Sequence, residues 1–268
     1  MEKIIMACDV NFSYEKNNFS LKSINFSVDE GDFVSVIGRN GSGKSTIVKI
    51  LSRIIINYKG SISYQGREID LIPKKEFSKN VSYLPQSGIL INEGMNVFDL
   101  LLMGRYSYKK FSEFTFSKED KNIVVKSIEI AGIKNLRDKY FYELSGGEKQ
   151  KALITLSLVQ LDITNNLKGK VLIIDEPLTY LDVNFQFEIF TLLKKLNQEQ
   201  KLTIIVVTHD LNLALKFTGK TILLENGRII SMGETVNMIT KDTLKKHFLI
   251  NSQIINFENK YNINFNPL

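Results

Sequence analysis

Cysteine is nearly absent from this sequence: Cys8 is the single one among 268 residues. One thiol excludes an internal disulfide and is typical of proteins that fold in a reducing compartment. We expect Cys8 to be a small buried residue and not a catalytic one, because a free cysteine most often behaves as a small apolar side chain.

Long apolar runs are also absent. None approaches the roughly 18 residues that would predict a membrane-spanning helix. The segment Met1–Val10 lacks the apolar core and the cleavage site of a secretory signal. We therefore expect neither a spanning helix nor a signal peptide.

Charge of one sign is not concentrated in any part of the chain. Lysine and arginine outnumber aspartate and glutamate by 35 to 29, which gives a net charge of +6. Such an excess can indicate a nucleic-acid or membrane partner. No block of like charge is long enough to support that interpretation, so we predict solvated lysines and no nucleic-acid partner. Hydrophobic residues make up 43% of the chain, which allows one large domain or a core with an inserted subdomain.

A glycine-rich segment, Gly38–Ser45, fits the pattern G-x-x-x-x-G-K-[ST] without a mismatch. The apolar run Phe33–Ile37 predicts a buried strand before it, and Thr46–Ile56 predicts a helix after it. Glycines let the backbone amides turn inward to meet a helix N-terminus, so several donors converge on one anion. Lys44 would reach the β- and γ-phosphates of a nucleotide, and Ser45 would offer its hydroxyl to Mg²⁺. The alternative is a glycine-rich turn with an incidental lysine. The candidate nucleotide contacts in this loop are Gly38, Arg39, Asn40, Gly41, Ser42, Gly43, Lys44, Ser45 and Thr46.

Two adjacent carboxylates follow another apolar run. Val171–Ile174 predicts a buried parallel strand, and Asp175 and Glu176 come at its C-terminal end. Open α/β sheets place ligand-contacting residues at such ends. Asp175 can hold Mg²⁺ through water, and Glu176 can polarise a water that attacks a phosphate. The alternative is that the two carboxylates are merely solvated surface charges, but the end of a buried strand is a poor place for such charges.

Single polar residues follow two other predicted strands. Gln86 comes after the strand Val81–Leu84, where its amide oxygen could reach a metal or where it is simply a polar loop residue. His209 follows the strand Leu202–Thr208 and could contact a γ-phosphate, although a lone histidine is usually structural. The other histidine, His247, lies in a lysine-rich helix and is predicted at the surface.

Two further segments could contact a nucleotide. Tyr14 lies between strands predicted at residues 2–12 and 21–28, where its ring could stack on adenine or could simply pack. The segment Ser145–Glu148 opens a helix that is predicted to reach Gln160. It has the spacing of a capping box, and the same helix N-terminus could be a second anion site.

The rest of the sequence predicts a subdomain, a hairpin and a C-terminal tail. Val97–Met103 and Lys118–Ala131 predict helices, so we expect an inserted helical subdomain at about residues 89–160. Asn226-Gly227 between two short strands predicts a hairpin. Residues 251–268 form a tail that could fray or add an edge hairpin, and the sequence does not decide between the two.

The ordered motifs resemble those of the nucleotide-binding subunit of ATP-binding-cassette transporters over residues 2–250. The matching motifs are the phosphate loop at 38–45, the glutamine loop centred on Gln86, the signature Leu144–Glu148, the Walker B strand ending at Asp175 and Glu176, and the switch His209. Asp182 matches the loop that crosses the dimer interface of the family, and Tyr14 matches the adenine-stacking aromatic. The resemblance implies an α/β fold: a RecA-like P-loop NTPase core with a mostly parallel central sheet, an N-terminal antiparallel β subdomain and an inserted α-helical subdomain.

The resemblance also implies a mechanism. Glu176, His209 and Gln86 would act in ATP hydrolysis, and Ser45, Gln86 and Asp175 would surround Mg²⁺. The implied nucleotide contacts outside the phosphate loop are Tyr14, Asp182, Ser145, Gly146, Gly147 and Glu148. The implied partners are a second copy or a paired cassette, a transmembrane permease and, indirectly, an extracytoplasmic substrate-binding protein. The implied location is peripheral, on the cytoplasmic face of the inner membrane.

Shorter stretches resemble the importers of ferric siderophores, haem and vitamin B12. Met103–Tyr106 and His209–Ala214 are similar to motifs of these importers, and the extended link Asp162–Lys170 is similar to that of the haem and vitamin B12 branches. An importer of zinc, manganese or another cargo is an alternative, as are a catalytically silent regulator and a soluble cassette ATPase of DNA repair or translation. The single cassette without sustained heptads argues against the soluble class, and the presence of Glu176 and His209 argues against the silent one.

Two departures from the family pattern lie near these motifs. Lys149 and Lys151 stand where the family often has arginine, and lysine lacks the planar fork that makes bidentate contacts. The segment Leu178–Tyr180 replaces the more usual small, hydroxyl-bearing residues. Neither departure affects the catalytic groups.

Overall fold

A computed structural model describes residues 2–15, 19–86, 91, 94–110, 115–176, 182–257 and 260–266. The chain forms two compact units. The first combines Met1–Leu71 with Ile204–Leu268, and the second is the continuous segment Ile72–Thr203.

The strands and helices are numbered in chain order. The strands are β1 (Lys3–Ser13), β2 (Ser20–Asp29), β3 (Phe33–Ile37), β4 (Lys59–Tyr64), β5 (Arg67–Glu68), β6 (Val81–Leu84), β7 (Val171–Asp175), β8 (Thr203–Val207), β9 (Lys220–Glu225), β10 (Arg228–Glu234), β11 (Asn251–Phe257) and β12 (Lys260–Asn266). The helices are α1 (Lys44–Leu51), α2 (Lys74–Ser78), α3 (Val97–Leu102), α4 (Lys118–Ile130), α5 (Gly146–Gln160), α6 (Val183–Gln200), α7 (Leu211–Phe217), α8 (Thr235–Met238) and α9 (Lys241–Thr243).

The first unit contains the predicted N-terminal antiparallel sheet and part of the parallel core. The antiparallel sheet has the order β2-β1-β4-β5. In the core, β3 pairs in parallel with β8 on one side and with β9 on the other, and β10 pairs antiparallel with β9. Every residue of β3 and β8 is buried, as expected for aliphatic strands that are covered on both faces.

Helix α1 differs from its predicted range of 46–56. It begins at Lys44 because Gly43, with a left-handed φ of 110°, is its N-cap. It ends at Leu51 because Arg53 takes a left-handed φ of 59°, and the Ile54 N–H then donates to the carbonyl of Lys49 (2.9 Å). Such a left-handed residue is a common helix stop.

The second unit contains the parallel pair β6 and β7 and the helices predicted between them. Helices α3, α4 and α5 surround a common apolar cluster. Its fully buried members include Val97, Leu101 and Val124. The observed bounds of these three helices differ from the predicted ones by at most two residues. Among the described helices, none is both long enough and apolar enough to cross a membrane.

The tail forms a hairpin. We call β11 and β12 the C-terminal hairpin (residues 251–266). Its strands pair with each other in a separate two-stranded sheet, so within the described part of the chain it does not extend the edge of a larger one. Ile263 of this hairpin is 3% exposed and packs with Leu211, Ala214 and Leu215.

Two burial predictions are wrong. Cys8 is exposed, because the alternation of β1 buries Ala7 on the opposite face. His247 is not at the surface: its side chain is 11% exposed, and its Nδ1 lies 3.3 Å from Oε2 of Glu225 at the end of β9.

Candidate functional site

Two glycines of the phosphate loop allow neighbouring segments of the chain to pack closely against it. A Cβ atom on Gly38 would lie 2.2 Å from the carbonyl oxygen of Leu224. A Cβ atom on Gly43 would lie 2.7 Å from the Leu21 side chain and 2.8 Å from the Phe19 ring. Both glycines also have φ values, +151° and +110°, that side-chain-bearing residues rarely adopt. The loop conformation therefore depends on glycine at these two positions.

The polar groups of the loop suit an anion. Lys44 is 4% exposed, and its Nζ donates to the carbonyls of Gly38 (3.0 Å) and Arg39 (3.1 Å). The loop thus holds a buried cation at its centre. The Ser42 hydroxyl is buried and has no hydrogen-bond partner within the described ranges. A buried hydroxyl without a partner is costly, and a phosphate oxygen is an acceptor that would satisfy it.

The turn between β9 and β10 supports this loop from behind. The Gly227 N–H donates to the carbonyl of Ser42 (3.0 Å), and the Lys22 N–H donates to the carbonyl of Gly227 (2.8 Å). A Cβ atom on Gly227 would lie 1.9 Å from the carbonyl oxygen of Ser20. The Asn226-Gly227 signal predicted the turn, but nothing in the sequence indicated that it would contact the phosphate loop.

His209 lies beside the phosphate loop in a cavity of about 460 Å³. The described residues that line this cavity are Gly38, Arg39, Asn40, Ser42, His209, Leu211, Glu225, Asn226, Phe248, Ile250 and Phe265. Two hydrogen bonds of Asp210 fix the turn that carries His209. The Asp210 N–H donates to the Thr208 hydroxyl (3.1 Å), and the Asp210 carboxylate caps α7 by accepting from the Leu213 N–H (2.9 Å).

Besides Leu211, which follows the predicted His209 by two residues, five residues of the cavity wall were not predicted: Glu225, Asn226, Phe248, Ile250 and Phe265. They come from the β9–β10 turn, the segment before the C-terminal hairpin and the hairpin itself. Only the pairing of β3 with β9 and the folding of the tail bring them to the loop. No local signal in the sequence identifies them.

Tyr14 both packs and leaves part of its side chain exposed. Its hydroxyl lies 3.4 Å from the Thr46 hydroxyl, directly after the phosphate loop. Its ring meets Phe12 edge-on, with centroids 4.8 Å apart. The residue is 37% exposed. Both interpretations made from the sequence are compatible with this position, because an aromatic ring that packs on one side can stack on the other.

Within the second unit, Gln86 and Glu176 meet. The Gln86 amide donates to Oε2 of Glu176 at 2.6 Å, and the Tyr83 hydroxyl donates to Oδ2 of Asp175 at 3.4 Å. Asp175 is 1% exposed. Glu176 has a left-handed φ of 48°, a conformation that is sparsely populated outside glycine and tends to occur at functional sites. The ends of the parallel strands β6 and β7 therefore bring the Gln86 amide and the Glu176 carboxylate together.

The signature segment forms the capping box that its spacing predicts. The Glu148 N–H donates to the Ser145 hydroxyl (3.3 Å), and the Ser145 N–H donates to the Glu148 carboxylate (2.9 Å). The Ser145 N–H and the Lys139 ammonium hold the pKa of Glu148 below its ordinary value. Gly147 is buried, and a Cβ atom there would lie 2.7 Å from the Phe185 ring. Gly146, by contrast, is exposed at the start of α5.

The two lysines near the start of α5 both lie over aromatic rings, and one of them also forms an ion pair. Lys151 pairs with Glu188, and its Nζ lies 4.6 Å from the centroid of the Phe185 ring. Lys149 lies 5.3 Å from the Phe141 ring. Asp182 caps α6 by accepting from the Phe185 N–H (3.0 Å). Residues 178–180, the other departure from the family pattern, lie outside the described residues.

Among the residues that the structure describes, no three histidine, cysteine, aspartate or glutamate side chains cluster closely enough to hold an ion. Mg²⁺ usually binds through one or two carboxylates together with substrate phosphates. Asp175, buried at the end of β7, is a carboxylate of that kind.

Comparisons with known proteins agree with this geometry. The family model described as "ABC transporter" matches residues 21–179. The iron(3+)-hydroxamate import ATP-binding protein of Bacillus subtilis is 35% identical over 88% of this chain and 84% of its own length. The ferric enterobactin transport ATP-binding protein of Escherichia coli is 31% identical over 87% of this chain and 83% of its own.

A solved structure shares the fold. A dimeric ATP-binding cassette, bound to ADP and Pi after hydrolysis, superposes with a TM-score of 0.72 at 25% identity. The match covers 86% of this chain and 98% of that one. A phosphate loop around a buried lysine, a family model over more than half of the chain and two relatives above 30% identity lead to one conclusion. This chain belongs to the ABC transporter family.

Proposed function

We propose that this chain hydrolyses ATP to drive a membrane importer of an iron complex, such as a ferric siderophore. The observation that supports this most directly is the phosphate loop, in which Lys44 is buried and the Ser42 hydroxyl has no hydrogen-bond partner among the described residues. The relatives named above support the iron cargo, since both are ATP-binding subunits of iron-siderophore importers.

The residues of the first unit hold the nucleotide in this proposal. The loop amides and Lys44 bind the phosphates, and the exposed part of Tyr14 receives the adenine ring. His209 contacts the γ-phosphate from the same cavity. Mg²⁺ would be held by Ser45, Asp175 and Gln86, and it supplies neutralisation of phosphate charge when bound.

The residues of the second unit move the proton. Glu176 accepts a proton from the attacking water, which makes the water a better nucleophile. Gln86 donates to one carboxylate oxygen of Glu176 and so orients the other for this task. The hydrogen bond of 2.6 Å supports this pairing of base and orienting group.

A second copy completes each nucleotide site in this proposal. ABC cassettes dimerise, and in importers they associate with transmembrane permeases as peripheral subunits. The exposed Gly146 at the N-terminus of α5 would meet the γ-phosphate held by the other copy, since a helix N-terminus favours an anion. Asp182 would lie at the same interface, and Ser145, Gly147 and Glu148 would fix the helix end. A permease, an extracytoplasmic substrate-binding protein and the cytoplasmic face of the membrane complete the assembly.

Iron uptake by cells tests this function. Deleting the gene should reduce the uptake of radioactive ferric siderophore and leave zinc and manganese uptake unchanged. Wild-type protein should restore uptake, Lys44→Ala should not, and Lys195→Ala, at an exposed position on α6, should restore it fully. Unchanged iron uptake together with reduced zinc or manganese uptake would contradict the iron cargo. Full rescue by Lys44→Ala would contradict the use of ATP.

A further inference from the structure

We propose that Asn212 is a positioning residue, through which the C-terminal hairpin holds the His209 turn in place. This inference rests on the proposed ATPase function. Three observations within the first unit support it: hydrogen bonds between α7 and the hairpin, a shared buried cluster, and a cavity that both elements line.

Asn212 binds the hairpin backbone through both ends of its side-chain amide. The Ile263 N–H donates to Asn212 Oδ1 at 2.7 Å, and Asn212 Nδ2 donates to the Ile263 carbonyl at 3.4 Å. The side chain thus pairs with β12 as a neighbouring strand would. Two bonds to one residue fix both the distance and the orientation of α7 against the hairpin.

Apolar packing surrounds this pair. Ile263 is 3% exposed and Leu211 is 4% exposed, and both belong to one buried cluster that also contains Ile37 at the end of β3. Leu211 is, in addition, part of the cavity wall that contains His209. Residues 209–212 therefore form one short segment that contacts both the cavity and the hairpin.

The tail reaches the same cavity directly. Phe248 and Ile250 precede the hairpin, Phe265 lies on β12, and all three line the cavity beside the phosphate loop. His247, next to Phe248, contacts Glu225 of the cavity wall. The hairpin thus contacts both the cavity and α7, and in this proposal a shift of the hairpin displaces the start of α7.

A purely structural role is the competing explanation. In that case the hairpin only covers the apolar side of α7, and changes in it lower stability without a specific effect on hydrolysis. The positioning role predicts a loss that depends on the presence of His209. A misplacement of about 1 Å can cost a factor of about 100 in rate, so a small shift is measurable.

Steady-state ATP hydrolysis by the full chain tests the inference. Asn212→Leu removes both hydrogen bonds at similar volume, and we expect kcat to fall about tenfold while KM for ATP stays within about twofold. Asn212→Asp keeps the acceptor for the Ile263 N–H but loses the donor to the Ile263 carbonyl, so its kcat should lie between those of wild type and Asn212→Leu. Asn262→Leu makes the same chemical change at an exposed position of β12 and should have no effect. Should Asn212→Leu not fold, Asn212→Ala takes its place in each comparison.

A double variant gives the decisive result. In a His209→Ala background, Asn212→Leu should cause no further loss of kcat, because the residue it positions is already gone. A further tenfold loss in that background overturns the positioning role, and so does wild-type kcat in the single variant. If the wild-type chain itself does not hydrolyse ATP at any concentration, the proposed function fails instead.

Discussion

Glu176 and Gln86 show what a single pair of side chains contributes. Each follows the end of a parallel strand, and their hydrogen bond of 2.6 Å joins the base of the proposed mechanism to its orienting amide. A carboxylate can accept a proton and an amide cannot, although the two have the same shape. The pair therefore allows an isosteric test.

Glu176→Gln should bind ATP normally but hydrolyse it at least about 100-fold more slowly, because the proton acceptor is lost. Phosphate release and nucleotide binding measure the two effects separately. Glu199→Gln, at an exposed position on α6, provides the matched control and should hydrolyse ATP at the wild-type rate. Unchanged hydrolysis by Glu176→Gln would assign the base to another residue.

Gly227 supports the phosphate loop at a position that tolerates no side chain. Gly227→Ala should lower the free energy of unfolding by about 2–4 kcal/mol, because its Cβ atom would overlap the Ser20 carbonyl. Gly219→Ala, where a Cβ atom meets nothing within 4 Å, should change it by less than about 1 kcal/mol. Urea unfolding of both variants measures the difference. Equal stabilities would show that the β9–β10 turn moves aside freely.

At the scale of elements, Arg105 joins the turn after α3 to the helices beside it. Its side chain is 5% exposed, and it pairs with Asp120 of α4 (2.9 Å) and with Asp162 after α5 (3.3 Å). The guanidinium also lies 3.6 Å from the centroid of the Tyr108 ring. One planar cation thus fixes three segments of the second unit.

Arg105→Met should lower the free energy of unfolding by about 3–5 kcal/mol, because it leaves Asp120 buried without its cation. Arg137→Met removes an arginine whose side chain is 46% exposed and whose partner Asp138 is 89% exposed, so it should cost less than about 1 kcal/mol. Thermal and urea unfolding compare the two. A loss as small as that of Arg137→Met would show that the helices hold together without this arginine.

The sequence predicts elements well where their signal is local. Apolar runs identified β3, β6, β7 and β8, and the Ser145–Glu148 spacing identified the start of α5 and its capping box. The start of α1 was predicted two residues late, because a left-handed Gly43 is not visible as a cap in the sequence. The structure of the tail could not be predicted, because its hairpin is stabilised by packing against α7, which is distant in sequence. Long-range packing likewise explains why His247 is covered.

At the scale of the molecule, carboxylates with lowered pKa values determine the response to acid. The Lys220 ammonium, and then that of Lys3, hold the pKa of Asp29 below its ordinary value. Asp29 belongs to β2 and Lys220 to β9, so this pair joins the antiparallel sheet to the parallel core of the first unit.

Stability should therefore fall in acid. The contribution of a carboxylate with a lowered pKa is complete above its unfolded value of about 4 and is lost as pH falls toward the folded one. Asp29→Asn should lower the thermal unfolding midpoint at about pH 6. Between about pH 6 and about pH 3, the midpoint of this variant should fall by less than that of wild type. Asp138→Asn, at an exposed site, should follow the wild-type curve. If the unfolding midpoints of wild type and Asp29→Asn fell in parallel with pH, the Asp29–Lys220 pair would not contribute to the loss of stability in acid.

The discontinuous first unit has a consequence for synthesis. Strand β3 lies early in the chain, but both of its parallel neighbours, β8 and β9, come after the whole second unit. On the ribosome, the whole second unit is synthesised before β3 can pair, because β3 must wait for residues 204–225. The glycine-rich loop is therefore made early but gains its supporting turn and its cavity wall late. A nascent chain that stalls before residue 204 should therefore lack both the strand pairing of β3 and the turn that supports the glycine-rich loop.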